Sequence, residues 1–168
     1  GPVVLFVGRL VDGKRPQDAV QAVSRLPERL DAKLYVVGDG PLRPELEKKA
    51  NNNVEFLGQV PYDEMPAVYR SGDVLMLPSR AEGLPRTVLE ALASSVPVVS
   101  SHLEHTASIV QEGGETVETG DIKGYVSALK RTLNSTEELA KPGRQMIVED
   151  FQWQNTVERT TSVLASLS

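Results

Sequence analysis

The chain has 168 residues, 40% hydrophobic and 24% charged, with 23 Asp and Glu against 18 Lys and Arg for a formal net charge of −5. That is the size of one globular domain, and its acidic balance excludes a general nucleic-acid surface, whose footprint would be basic. The absence of cysteine excludes disulfides and thiolate metal sites, and no stretch approaches the roughly 18 consecutive apolar residues of a membrane span.

The chain opens on Gly1-Pro2, a cloning remnant or native linker, and runs without a Met into Val3-Val-Leu-Phe-Val7. It is therefore expected to be an excised domain whose missing piece lies upstream. Short apolar runs then alternate with longer amphipathic segments. The pairs are Val3 to Val7 with Gln17 to Leu26; Lys33 to Val37 with Leu42 to Ala50; Val54 to Leu57 with Glu64 to Arg70; Asp73 to Leu77 with Arg86 to Ala93; and Val96 to Ser100 with Glu104 to Gln111. Helix-period spacing is clear in Ala19, Ala22, Val23 and Leu26, whereas the runs are too short for helices and too uniformly apolar for half-exposed strands. The repeated β-α unit predicts an α/β fold, a doubly wound parallel sheet of the Rossmann-like kind. Pro16 and Pro41 are placed just inside helix starts, where a missing N–H costs nothing. A short strand at Glu115 to Val117 precedes Gly120-Asp121. Helices follow at about Ile122 to Leu133, Glu137 to Val148 and Gln154 to Leu167, closing a single domain over 1–168.

Ligands of such sheets bind at the carboxyl ends of the strands, and the chemistry-bearing residues fall in those loops. After the first strand come Arg9 and Lys14, two cations able to clamp a diphosphate, or else a solvated basic loop beside Asp12 and Arg15. The same Gly8-x4-Gly13-Lys14 spacing imitates a P-loop, with Asp39 as an acidic metal partner. Arg15 and Pro16 stand where that motif needs the Ser or Thr that holds Mg²⁺. Gly38-Asp-Gly40 falls short of a dinucleotide fingerprint and reads equally as a tight turn. Glu82 and Glu90 bracket a loop and the first turn of a helix beginning near Pro85, whose N–H groups at Arg86, Thr87 and Val88 and whose dipole suit a phosphate. Simpler roles remain open: an i, i+4 pair of Glu90 with Arg86, and a carboxylate at Glu82 facing the helix's positive end. His102 and His105 flank Glu104 without a further clear ligand set, so no metal is expected. Trp153 reads as a packing anchor.

Glu82-Gly-Leu-Pro-Arg-Thr-Val-Leu-Glu90 resembles the Glu-x7-Glu signature of the retaining GT-B glycosyltransferases of group 1, or family 4, in their C-terminal half. Val7-Gly-Arg-Leu10 with Lys14, Val36-Val-Gly-Asp-Gly-Pro41, Val54-Glu-Phe-Leu-Gly58, Ser71-Gly-Asp-Val74, Glu90-Ala-Leu-Ala93, Pro97-Val-Val99 and Gly120-Asp121 extend the resemblance in order over most of the chain. It departs between Ser95 and Asp121: Ser95 replaces the usual Gly, and 102–108 lack the Gly-Gly and Pro-Glu pairs.

The resemblance implies a hexosyltransferase domain that binds a nucleoside diphosphate sugar and transfers the sugar with retention. Arg9, Lys14 and Glu82 would be catalytic. The donor nucleotide would lie against Gly8, Arg9, Lys14, Val60, Gly83, Leu84, Arg86, Thr87, Val88 and Glu90, with Glu90 on the ribose hydroxyls and the base on backbone near Val60. No cofactor or metal is implied. The acceptor would bind in a missing N-terminal domain, toward which 151–168 would pack as a C-terminal helix. The expected setting is cytoplasmic, with the full protein at the inner membrane surface if the acceptor is a lipid. Rival readings are a GT-B-type nucleotide-sugar 2-epimerase, a non-catalytic nucleotide-sugar sensor and a P-loop nucleotidase. The sequence does not choose among UDP, GDP and ADP.

Overall fold

The computed structural model describes residues 1–83 and 85–149; Leu84, Trp153, the predicted helix Gln154 to Leu167 and the expected packing of 151–168 lie outside the described residues. Strands β1 (Val3–Val7), β2 (Lys33–Val37), β3 (Val54–Gly58), β4 (Val74–Leu77), β5 (Val98–Ser101) and β6 (Gly114–Val117) form one sheet in the order β3-β2-β1-β4-β5-β6. Every neighbouring pair is parallel. The helices are α1 (Pro16–Ser24), α2 (Arg43–Lys49), α3 (Met65–Ser71), α4 (Arg86–Ala93), α5 (Glu104–Val110), α6 (Ile122–Asn134) and α7 (136–149). This is the doubly wound, Rossmann-like fold, with its winding reversed between β1 and β4. Among the described residues no helix is long and apolar enough to cross a membrane.

Successive strand side chains point to opposite faces, and each face has its own helices. Val4, Phe6, Leu34, Val36, Val74 and Met76 pack with Ala19, Val20 and Val23 of α1 and with Tyr125, Ala128 and Leu129 of α6. Leu5, Val37, Leu75, Leu77 and Val98 pack with Met65 and Tyr69 of α3, Val88, Ala91 and Leu92 of α4, and Val110 of α5. Coverage on both sides explains why the central strands read as unbroken apolar runs. The edge strand β3 departs from that expectation. Its Glu55 and Leu57 are exposed, and the charge suits an open edge.

Pro16 stands at the first position of α1 as expected, but Pro41 does not begin α2. The N–H of Leu42 is donated to Leu10 O and that of Arg43 to Gly40 O, so residues 40–43 turn against the β1–α1 loop, and Pro44 takes the first turn instead. The glycines here are structural. Gly38 has φ 128°, and a Cβ on it would lie 1.9 Å from Gly8 O; one on Gly40 would lie 2.5 Å from Leu10 O. Only a residue without Cβ lets the two loops touch.

Ser95, where the family pattern has Gly, adopts φ 62°. It follows the C-cap Ser94 of α4, and the hydrogen bonds Ser95 N–H to Leu92 O and Val96 N–H to Ala91 O make a Schellman ending. A left-handed residue is required there, and serine carries the Cβ penalty. Ser95→Gly is therefore expected to stabilise the chain by about 0.5–1 kcal/mol in urea unfolding; a destabilised variant would contradict this account of the turn.

Candidate functional site

Because β1 and β4 are neighbours, the loops leaving their carboxyl ends face each other, and three contacts stitch them together. The N–H of Arg80 is donated to Gly13 O at 2.8 Å, Arg80 Nη1 to Asp12 Oδ2 at 3.1 Å, and Lys14 Nζ to Glu82 Oε1 at 2.6 Å. The last pair is the least solvated, with side-chain exposures of 30% for Lys14 and 9% for Glu82. An ammonium has three donors, so Lys14 bound to Glu82 keeps two for another anion. The P-loop imitation fails here. Arg15 turns to Asp18 at 2.6 Å, and Asp39 is occupied by the Gly40 N–H and Arg43, which in that order hold its carboxylate below the usual range.

Glu82 is held from below as well. The hydroxyl of Ser79, a fully buried residue, is donated to Glu82 Oε1 at 2.6 Å, and Ser79 O accepts from Ser101 Oγ at 2.6 Å. The Ser79 hydroxyl is held on Glu82 and its backbone carbonyl on Ser101, so the ends of β4 and β5 together position the carboxylate.

Leu89 N–H is the first to find an acceptor within α4, at Pro85 O, so the N–H groups of Arg86, Thr87 and Val88 have none inside the helix. Val88 is fully buried and anchors the helix by its side chain; Arg86 is exposed. Glu90 forms no ion pair with Arg86 among the described residues, and accepts a hydrogen bond from Tyr69 Oη at 2.9 Å. Gly83 is exposed, and a Cβ on it would meet nothing within 4 Å; at Gly8 it would make ordinary contacts with Phe6 and Lys14. Arg9 is exposed beside the fully buried Leu10. Val60 packs partly into the α3 side of the core beyond the end of β3.

The structure thus joins Lys14 to Glu82 and sets both beside the start of α4. It adds Ser79 and Tyr69, which sequence reasoning missed. Ser79 had a local signal, a hydroxyl three residues before Glu82 in the same loop; Tyr69, on another helix, had none. His102 Nδ1 lies 2.7 Å from Thr116 Oγ1, and no group of three or more acidic or histidine side chains converges among the described residues. A concavity of about 590 Å³ opens beside Leu26, Pro27 and Asn51, at the amino ends of β2 and β3, the opposite end of the strands. It lacks the cations and open helix terminus, so chemistry rather than size selects the β1–β4 mouth.

Comparison with known proteins agrees with this architecture. The family described as Glycosyl transferases group 1 matches residues 1–135, and the chain belongs to that family. It is 32% identical over 160 residues to the sulfoquinovosyl transferase SQD2 of Arabidopsis thaliana, covering 90% of this chain and 31% of the relative. With the 2-deoxystreptamine glucosyltransferase of Streptomyces kanamyceticus it is 33% identical, covering 90% and 42%. The chain thus spans less than half the length of these two curated relatives. The crystal structure of Anabaena HepE in complex with UDP and glucose superposes with a TM-score of 0.83 at 20% identity, covering 98% of this chain and 48% of that one. The fold is that of a GT-B glycosyltransferase C-terminal domain.

The hydroxyl under Glu82 yields a direct test. Ser79→Ala is expected to cost about 1–3 kcal/mol of unfolding free energy. In a Glu82→Ala background the same change should cost close to nothing, as a double-mutant cycle would report. Equal costs in both backgrounds would show that the two side chains are uncoupled.

Proposed function

We propose that the chain is the donor-binding domain of a retaining glycosyltransferase, holding a nucleoside diphosphate sugar while its sugar passes to an acceptor on an upstream domain. The observation that carries this is the meeting, at one mouth of the sheet, of Lys14 with spare donors, the first turn of α4, whose N–H groups at Arg86, Thr87 and Val88 have no acceptor inside the helix, and two carboxylates. Both the helix terminus and the cation favour a diphosphate. The ribose then extends toward Glu90 and the base toward the backbone near Val60, while the sugar faces Glu82.

Departure of the diphosphate transfers the electron pair of the glycosidic bond to a phosphate oxygen. Arg9, Lys14 and the start of α4 stabilise that growing charge, which is where fixed donors contribute most to rate. The acceptor hydroxyl attacks from the face the diphosphate leaves, its proton passing to the departing phosphate oxygen, so configuration is retained, and Glu82 steadies the sugar. The open space at Gly83 supports close approach of the donor to the backbone, and the UDP and glucose bound to HepE support a nucleotide-sugar donor.

Calorimetric titration with UDP, GDP, ADP and ATP, with Mg²⁺ and with EDTA, tests this reading. One diphosphate should bind without metal and about tenfold or more weakly to Glu90→Ala, matching the loss of a charged hydrogen bond. Mg²⁺-dependent ATP binding indifferent to Glu90 would contradict it. The 168-residue chain alone should bind donor and transfer no sugar.

A further inference from the structure

Glu90 lies in the second turn of α4, and its carboxylate has a partner from another helix. Tyr69 of α3 is 2% exposed and donates its hydroxyl to Glu90 Oε2 at 2.9 Å. Its ring belongs to the apolar cluster that includes Val88, Ala91 and Leu92 of α4. Core packing, rather than a mobile side chain, therefore sets the position of the hydroxyl. Burial first, and the hydrogen bond to Glu90 second, push ionisation of the phenol far above its ordinary range, so the group remains a donor at any working pH.

Each carboxylate oxygen has two lone pairs. Oε2 can accept from Tyr69 and still accept once more, while Oε1 meets no other donor among the described residues. One oxygen is thus pinned without using up the carboxylate's capacity for two further hydroxyls.

We propose that Tyr69 is a positioning residue for ribose recognition: by fixing one oxygen of Glu90 it sets the plane in which the carboxylate grips the two vicinal hydroxyls of the donor's ribose. This rests on the assignment of Glu90 to the ribose. A glutamate on a helix surface would otherwise lose rotamer freedom on binding, and Tyr69 removes that freedom beforehand.

The test compares the tightest-binding of UDP, GDP and ADP with its 2′,3′-dideoxy counterpart, by calorimetry, on the wild-type chain and Tyr69→Phe. The variant deletes one oxygen and keeps the ring. Wild type should prefer the ribose form, and Tyr69→Phe should lower that preference about fivefold to tenfold while leaving dideoxynucleotide affinity unchanged. Placing 4-aminophenylalanine at position 69 restores a donor at the same volume and should restore the preference, which guards against a folding defect in the Phe variant. An equal loss for both nucleotides, or a preference that survives Tyr69→Phe, overturns the role of Tyr69 alone. A wild-type chain indifferent to the ribose hydroxyls overturns the assignment of Glu90, and the Tyr69 proposal with it.

Discussion

Parallel pairing of β1 with both β2 and β4 fixes where the chemistry-bearing loops can meet. A doubly wound sheet reverses its winding at that pair, so the connections on either side run to opposite faces and leave a crevice above the strand ends. The Gly8 to Lys14 loop borders the crevice from β1, and residues Pro78 to Gly83 border it from β4. Were β4 elsewhere in the order, Lys14 and Glu82 would be 68 residues apart with nothing to bring them within 2.6 Å. The core sustains this arrangement by filling both faces. Apolar residues of α1 and α6 cover one, and those of α3, α4 and α5 the other.

Around the crevice, polar groups are held by buried partners rather than by one another alone. Ser79 and Ser101 support Glu82, Tyr69 supports Glu90, and the loop after β2 braces the loop after β1 through Gly38 and Gly40. Such supports matter because an exposed ion pair stabilises little and reorients easily, whereas a buried hydroxyl with fixed partners retains its geometry. Lys14 and Glu82 satisfy each other, yet the ammonium has two further donors.

Much of the fold was legible because the central strands are buried on both faces and so appear as short, continuous runs of Val, Leu and Phe. The bounds of β1, β2 and α4 agree with the sequence pattern, and α6 differs by one residue. The edge strand β3 was less legible, since exposure of Glu55 and Leu57 breaks the run. Pro41 misled because proline marks turns as readily as helix starts, and only contact with Leu10 shows which. Within the site, the acidic pair and the cationic loop were readable, since their chemistry lies in the side chains named by the motif. Ser79 and Tyr69 act through tertiary contacts, and the 21 residues separating Tyr69 from Glu90 leave no local trace of their pairing. Gly38 looked like half of a nucleotide fingerprint, whereas its place is against the Gly8 carbonyl.

The central claim is that one crevice, between the β1 and β4 loops, receives the diphosphate and the ribose together. Backbone amide shifts of the isotope-labelled chain, followed by NMR as a nucleoside diphosphate is added, test it most directly. Shifts concentrated at 8–14, 58–62 and 83–90 would agree with the account. Shifts concentrated instead around Leu26, Ala32 and Asn51, at the amino ends of β2 and β3, would contradict it.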